Sequence, residues 1–246
     1  MDAEDRTAAY LTPVVIAVGA GVAWAGSQGS VSVGAFPVFA LCGLLAVAIN
    51  WIAFVPAYHL QTERFFDLTG SVTYVSVLGA ALLLSEARDP RSLLLGALVL
   101  VWAVRLGAFL FARINREGKD ARFDELKTSL PRFFGAWTLQ GLWVFLTLAA
   151  ALGAITSVSG RSLGGLAVLG GATWAIGFAI EVVADRQKKR FREDPSNANR
   201  FITTGLWAWS RHPNYFGEIV LWSGMAIIAL PELSGWQYVT LISPVF

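Results

Sequence analysis

Apolar residues run in long continuous blocks along this chain, and polar residues collect in the gaps between them. The blocks do not alternate residue by residue, so they do not read as strands of a barrel. Most approach the roughly 20 residues a helix needs to cross a hydrocarbon core. The pattern predicts spans over 9–26, 35–58, 70–86, 93–112, 133–157, 163–183 and 216–231, the third being short. An eighth block begins near Trp236 and runs to Phe246. The predicted fold class is all-α, a polytopic membrane helical bundle of about seven complete transmembrane helices plus a partial C-terminal one. It reads as a single integral membrane domain over 1–246, and the long polar interruption at 181–218 joins the ends of two spans.

Composition agrees with this pattern: 55% of residues are hydrophobic and only 15% are charged. The net charge of +2 is too small to argue for a nucleic-acid partner. The single cysteine, Cys42, excludes an intramolecular disulfide and a Cys-based zinc site. Two distant histidines, His59 and His212, add no metal site. The opening MDAEDR is acidic, unlike a signal-peptide n-region, so the first apolar block is expected to be a retained span.

Charge becomes informative when it is placed on the connections. Arg6, Arg64, six cations in 113–132 and seven in 184–215 fall on one side of the predicted bundle. Only Arg88, Arg91 and Arg161 fall on the other. This asymmetry predicts that the N-terminus and the basic connections face the cytoplasm. Arg105 lies inside the fourth span, where it either faces the protein interior or snorkels to the surface. The GGLAVLGGA stretch at 164–172 reads as close helix packing.

Three polar clusters sit on the predicted cytoplasmic side. In HLQTERFFDLTG (59–70), Asp67 or Thr69 is expected to cap the third span, while Gln61 and Glu63 have no such role. RINREGKDARFDELK (113–127) mixes cations and acids; it reads either as a solvated loop against anionic headgroups or as an anion site that includes Lys119 and Arg122. The 181–218 segment is basic, aromatic and far longer than a plain connection. Its Trp207 and Trp209 suit a membrane-interface belt, or a stacking wall for a flat ring. Arg and Lys can pair with phosphates there, Asn and Asp can bond ribose or carboxamide groups, and Glu218 lies near the start of a span, where a helix favours negative charge. No G-x-G-x-x-G or Walker loop is present, so a nucleotide would have to be held by side chains at helix ends.

The residues GLWAWSRHPNYFGE (205–218) resemble the C-terminal motif of the steroid 5α-reductase family and its bacterial relatives of uncharacterised function. Sterol reductases share a similar R-H-x-N-Y-x-G-[DE] pattern, and isoprenylcysteine and phospholipid methyltransferases share the shorter R-H-P-x-Y-x-G. QTERFFDLTGSVTY (61–74), GKDARFDELK and WTLQGLWV (137–144) look most like the bacterial branch, which implies a bacterial inner membrane. The resemblance extends over most of the chain from about residue 50.

The resemblance implies an NADPH site open to the cytoplasm. Asp185 and Arg192 match a family D-x6-R pair, Arg200 falls at a family arginine, and Asn214 and Glu218 match N-x3-E; Arg211, His212 and Tyr215 complete the implied cofactor set, with Lys119 and Arg122 as further phosphate contacts. Gln61 and Glu63 stand for the family's Gln-Glu pair at the reacting carbonyl, with Glu63 expected to be kept protonated by burial. The family's tyrosine falls at Phe109, so the phenol must come from elsewhere, such as Tyr58 or Tyr74. The family continues into a full last helix and a basic aromatic tail over the cofactor, whereas this chain stops at SPVF, which implies a shortened cofactor site. The implied activity is NADPH-dependent reduction of a lipophilic activated alkene drawn from the bilayer, with membrane lipids as the other partners. The alternatives are an S-adenosylmethionine-dependent membrane methyltransferase and a non-catalytic lipid-binding protein.

Overall fold

A computed structural model describes residues 3–117, 120–160, 162–198 and 200–245, with 115–117 described by backbone alone. Lys119, an expected phosphate contact, lies outside the described residues. The chain forms α1 (Ala3–Gly26), a minimal hairpin of β1 (Ser32–Val33) and β2 (Phe36–Pro37), α2 (Val38–His59), α3 (Phe66–Leu84), α4 (Pro90–Glu117), α5 (Leu130–Ile155), α6 (Gly165–Glu193) and α7 (Pro213–Ala229). Six of these, α1 to α6, are long and apolar enough to cross a membrane. The protein is an all-α polytopic bundle.

The helix ends follow local chemistry. Ser129 caps α5 by accepting from the Arg132 amide, and Pro131 occupies the first turn. Pro213 opens α7 in the same way. Asp67 does not cap α3: that position is Phe65, without a side-chain bond, and Asp67 instead pairs with Arg113 at 2.8 Å. The expected partial last helix is a 3-10 segment, Gly235–Ile242. Pro231 blocks continuation of α7, Gly235 turns the chain at φ +52, and a Ser234–Gln237 capping box starts the new segment. That segment packs on α1 through Trp24 and Trp236, with ring centroids 5.6 Å apart, and on α5 through Ser243, which donates to the Thr147 carbonyl.

α5 is the axis of the bundle. Of its apolar window 83% is buried, against 17–39% for the other spanning helices, so its neighbours face lipid and it faces them. α6 and α7 meet backbone to backbone. A Cβ on Gly170 would lie 2.6 Å from the Gly224 carbonyl oxygen, and one on Gly217 2.7 Å from the Glu181 amide nitrogen. Gly164, Gly165 and Gly171 have no such neighbour, so only part of the glycine-rich patch serves the packing. α6 is 29 residues long and therefore rises roughly 43 Å. That exceeds the hydrocarbon core of about 30 Å, so its basic last turns extend beyond it.

On the opposite side, Arg91 is buried. It pairs with Glu232 at 3.2 Å and donates to the carbonyls of Ile228 and Ser162. This joins the start of α4 to the end of α7.

Candidate functional site

Arg105 settles inward. Its guanidinium donates to Glu181 at 2.6 Å and to Asp185 at 2.5 Å, two carboxylates that share one face of α6. The Trp102 indole donates to the other Glu181 oxygen at 3.1 Å. A largely buried charge of this kind is tolerated because it is paired with two carboxylates. Asp185, expected to bind a cofactor, is thus held by Arg105. Phe109, at the position of the family tyrosine, lies under the same guanidinium at 5.4 Å.

Two cavities flank the start of α7. The larger, 890 Å³, is lined by Lys188, Arg192, Arg200, Arg211, His212 and Trp207, among others. It brings together three of the expected arginines and the expected histidine. The Trp207 indole donates to the Ala184 carbonyl at 3.0 Å, and the Lys188 ammonium lies 4.8 Å over its ring, so this tryptophan is a fixed wall. Trp209 is 92% exposed, as an interface-belt residue would be.

The smaller cavity, 520 Å³, lies between helices and is mostly apolar. Its wall includes Tyr74, Trp102, Gln140, Thr147, Tyr215 and Glu218. Tyr74 is fixed by edge-to-face contact with Trp102 at 4.9 Å, by parallel stacking on Trp222 at 6.3 Å, and by a 2.6 Å bond to the Thr147 hydroxyl. His212 and Tyr215 stack almost parallel, 5.1 Å apart. One ring belongs to each cavity, so the stack is the wall the two share.

The other expected residues lie elsewhere. Asn214, partly buried in the first turn of α7, lines neither cavity. Arg122 is exposed and forks onto Asp120. Gln61 is exposed at φ +49 and donates to the Tyr58 carbonyl three residues earlier in the chain. Glu63 is buried, but it accepts from the Asp120 amide at 3.0 Å and pairs with Lys127 at 2.9 Å. Burial pushes its carboxyl up, yet the amide and the ammonium outweigh that and hold it below its ordinary value. It is therefore an ion-paired carboxylate tying the 120–128 loop to the α2–α3 turn, not a protonated acid facing a cavity. Tyr58, one candidate phenol, stacks on Phe54 away from both cavities, whereas Tyr74 reaches the smaller one.

Sequence reasoning did not single out Lys188 or Gln140. Lys188 was hidden among adjacent cations. Gln140 carried a usable signal, as an amide alone in the apolar run LQGLWVFL.

The model of a family described as a protein of unknown function (DUF1295) matches residues 53–246. An uncharacterised protein of Schizosaccharomyces pombe is 24% identical over 176 residues, covering 59% of this chain and 51% of the relative. The 3-oxo-5-alpha-steroid 4-dehydrogenase 1 of Bos taurus is 30% identical over 69 residues, 28% of this chain and 26% of the relative. A probable O-methyltransferase of Ustilaginoidea virens is 32% identical over 107 residues, 37% of this chain and 38% of the relative. The chain thus spans about half or less of the length of these curated relatives. No solved structure matches. The family match covers most of the bundle, including α7 and both cavity walls, and the chain belongs to the DUF1295 family, the steroid 5α-reductase-like family.

Proposed function

We propose that this protein is a membrane-embedded, NADPH-dependent reductase of a lipophilic activated alkene. The observation that carries the reading is the pair of cavities separated by the His212–Tyr215 stack, one ringed by cations and the other apolar. Lys188, Arg192, Arg200 and Arg211 around one space suit a ligand with several phosphates, and Arg forks match phosphate geometry. Both volumes fall in the range of about 300–1,000 Å³ typical of small-molecule sites. The bovine relative's name supports reduction chemistry, at low identity over part of the chain.

When bound, the cofactor supplies the hydride. Arg192, Arg200 and Arg211 would hold its phosphates, and Trp207 would offer a flat wall to an aromatic ring. Trp102, Trp222 and Tyr74 keep water from the apolar side. Tyr215, at the shared wall, holds the proton that completes the reduction.

Calorimetry of the detergent-solubilised protein tests this. NADPH should bind, and Arg192→Ala combined with Arg200→Ala should weaken it by about 10- to 100-fold, as expected for lost charged hydrogen bonds. S-adenosylmethionine, which has no phosphates, should bind weakly or not at all. The similarity to a probable O-methyltransferase favours the second reading, membrane methyl transfer. Tight S-adenosylmethionine binding without NADPH binding would establish that reading and remove the first.

A further inference from the structure

One stripe of α7 walls the smaller cavity. Tyr215, Glu218, Ile219 and Trp222 follow the i, i+3, i+4, i+7 spacing of a single helix face. Tyr215 and Trp222 therefore stand two turns apart, roughly 10 Å along the axis. Tyr215 is 56% exposed and stacks on His212 at the wall shared with the larger cavity. Trp222, two turns further into the bundle, is 5% exposed.

Most polar hydrogens on this wall are given away within the protein. Gln140 donates to Asn50 and to the Phe66 carbonyl, each at 2.9 Å. Thr147 donates to the Trp143 carbonyl at 2.8 Å, so Tyr74 is the donor in their 2.6 Å contact. Ser71, Trp102 and Ser243 donate to the Asp67 carbonyl, to Glu181 and to the Thr147 carbonyl. Trp222 differs from these. Among the described residues its indole N–H meets no acceptor, yet it is not sealed inside protein as the Trp137 indole is. The little surface that Trp222 keeps therefore includes this nitrogen, and the cavity is the space it lines. The ring is held in place, edge-on to Trp102 at 5.0 Å and near-parallel to Tyr74 at 6.3 Å. A fixed donor facing an apolar space costs free energy until an acceptor meets it.

We infer that the smaller cavity takes a long lipophilic molecule with a carbonyl oxygen at its inner end, which accepts a hydrogen bond from the Trp222 indole. This rests on the reductase reading for the outer end, where the activated alkene lies beside Tyr215. The substrate class is then an activated alkene carrying a second, remote carbonyl about two helical turns from the reacting carbons. Trp222 is a specificity residue: it sets how deep the molecule seats, and so which carbons stop at the wall shared with the larger cavity. A purely alkyl inner end would fill the same space but leave the indole N–H unpaired.

The test is a matched series of linear enones. One carries a second ketone about eight carbons beyond the alkene, two helical turns when extended; one has a methylene in place of that ketone; one has the ketone about four carbons beyond the alkene. Binding to the whole protein in nanodiscs is measured by calorimetry, with empty nanodiscs subtracted. The long diketone should bind about 10-fold tighter than the methylene analogue, the worth of one neutral hydrogen bond. In Trp222→Phe that preference should shrink to about twofold or less. The indole N–H proton resonance of Trp222, assigned by its absence from the variant, should move downfield with the diketone and not with the methylene analogue. Equal binding of those two, tightest binding of the shorter-spaced ketone, no binding of any probe, an unmoved resonance, or an undiminished preference in the variant would each overturn the proposal. The wild-type comparison needs no substitution, so a misfolded variant cannot obscure it. NADPH calorimetry on the same sample reports separately on the reductase reading: failure of NADPH to bind while the diketone keeps its preference would remove the reductase and leave the Trp222 seat.

Discussion

At the scale of single residues, the sequence is most informative where a polar group has no solvent to explain it. Arg105 and Glu218 stand out because each lies in an apolar run, and both line or support the interior site. Glu63 is the instructive opposite. Its neighbours in sequence do not reveal that Lys127, 64 positions away, neutralises it. Its folded-state carboxyl is held below its ordinary value of 4.5, so its stabilising contribution is present above that value and is lost as pH falls below it. Lys127 is raised, chiefly by its hydrogen bond to Glu63, so the pair also weakens once pH climbs through the folded-state lysine value. The protection of the 120–128 amides against hydrogen exchange, taken relative to their intrinsic rate at each pH, should therefore be high at neutral pH and lower near pH 3. No change across that interval would mean the ion pair does not hold the loop. For Tyr215 the expected signature is kinetic. Tyr215→Phe should lower kcat by about 10²- to 10⁴-fold, the usual contribution of a positioned proton donor, with NADPH affinity within about twofold of wild type. An unchanged kcat would transfer the proton to another group.

At the scale of elements, the spans were readable because the bilayer demands length and apolarity, and those are properties of composition. Their ends were less readable. α6 continues to Glu193, ten residues past the predicted end of its span at 183, because charged residues are good helix formers once they leave the oil. The 120–128 segment was legible as charged but not as tied down, since the partner of Lys127 is Glu63 in the α2–α3 turn. The meeting of α6 and α7 was half legible: small residues announced a close approach without saying which would touch. Gly177 is the sensitive one, since an added Cβ would lie 2.6 Å from the Gly217 carbonyl oxygen. Gly177→Val should destabilise the bundle by about 1–3 kcal/mol through overpacking and displace the start of α7. Gly171→Val, facing open space, should cost far less. Thermal unfolding in detergent would compare them, and equal losses would deny the close packing.

At the scale of the whole molecule, the distribution of cations and the placement of the larger cavity agree. The cavity's cations lie in the basic 184–215 region, so the residues that make the charge distribution asymmetric also line the cavity. Single cysteines introduced at Arg122 and Arg200 in a Cys42→Ala background should react with an impermeant maleimide only when the cytoplasmic face is opened, and one at Arg88 should react from the other side. The reverse pattern would place the cavity on the wrong face for a cytoplasmic cofactor.

The excess length of α6 has one further consequence. A helix that overhangs its solvent keeps its ligand-holding end dry or wet according to how thick that solvent is. Reconstituted into lipids with progressively longer acyl chains, the protein should hold NADPH well until the membrane rises to meet Arg192. Affinity should then fall, as guanidinium groups built to greet water find themselves among carbon tails.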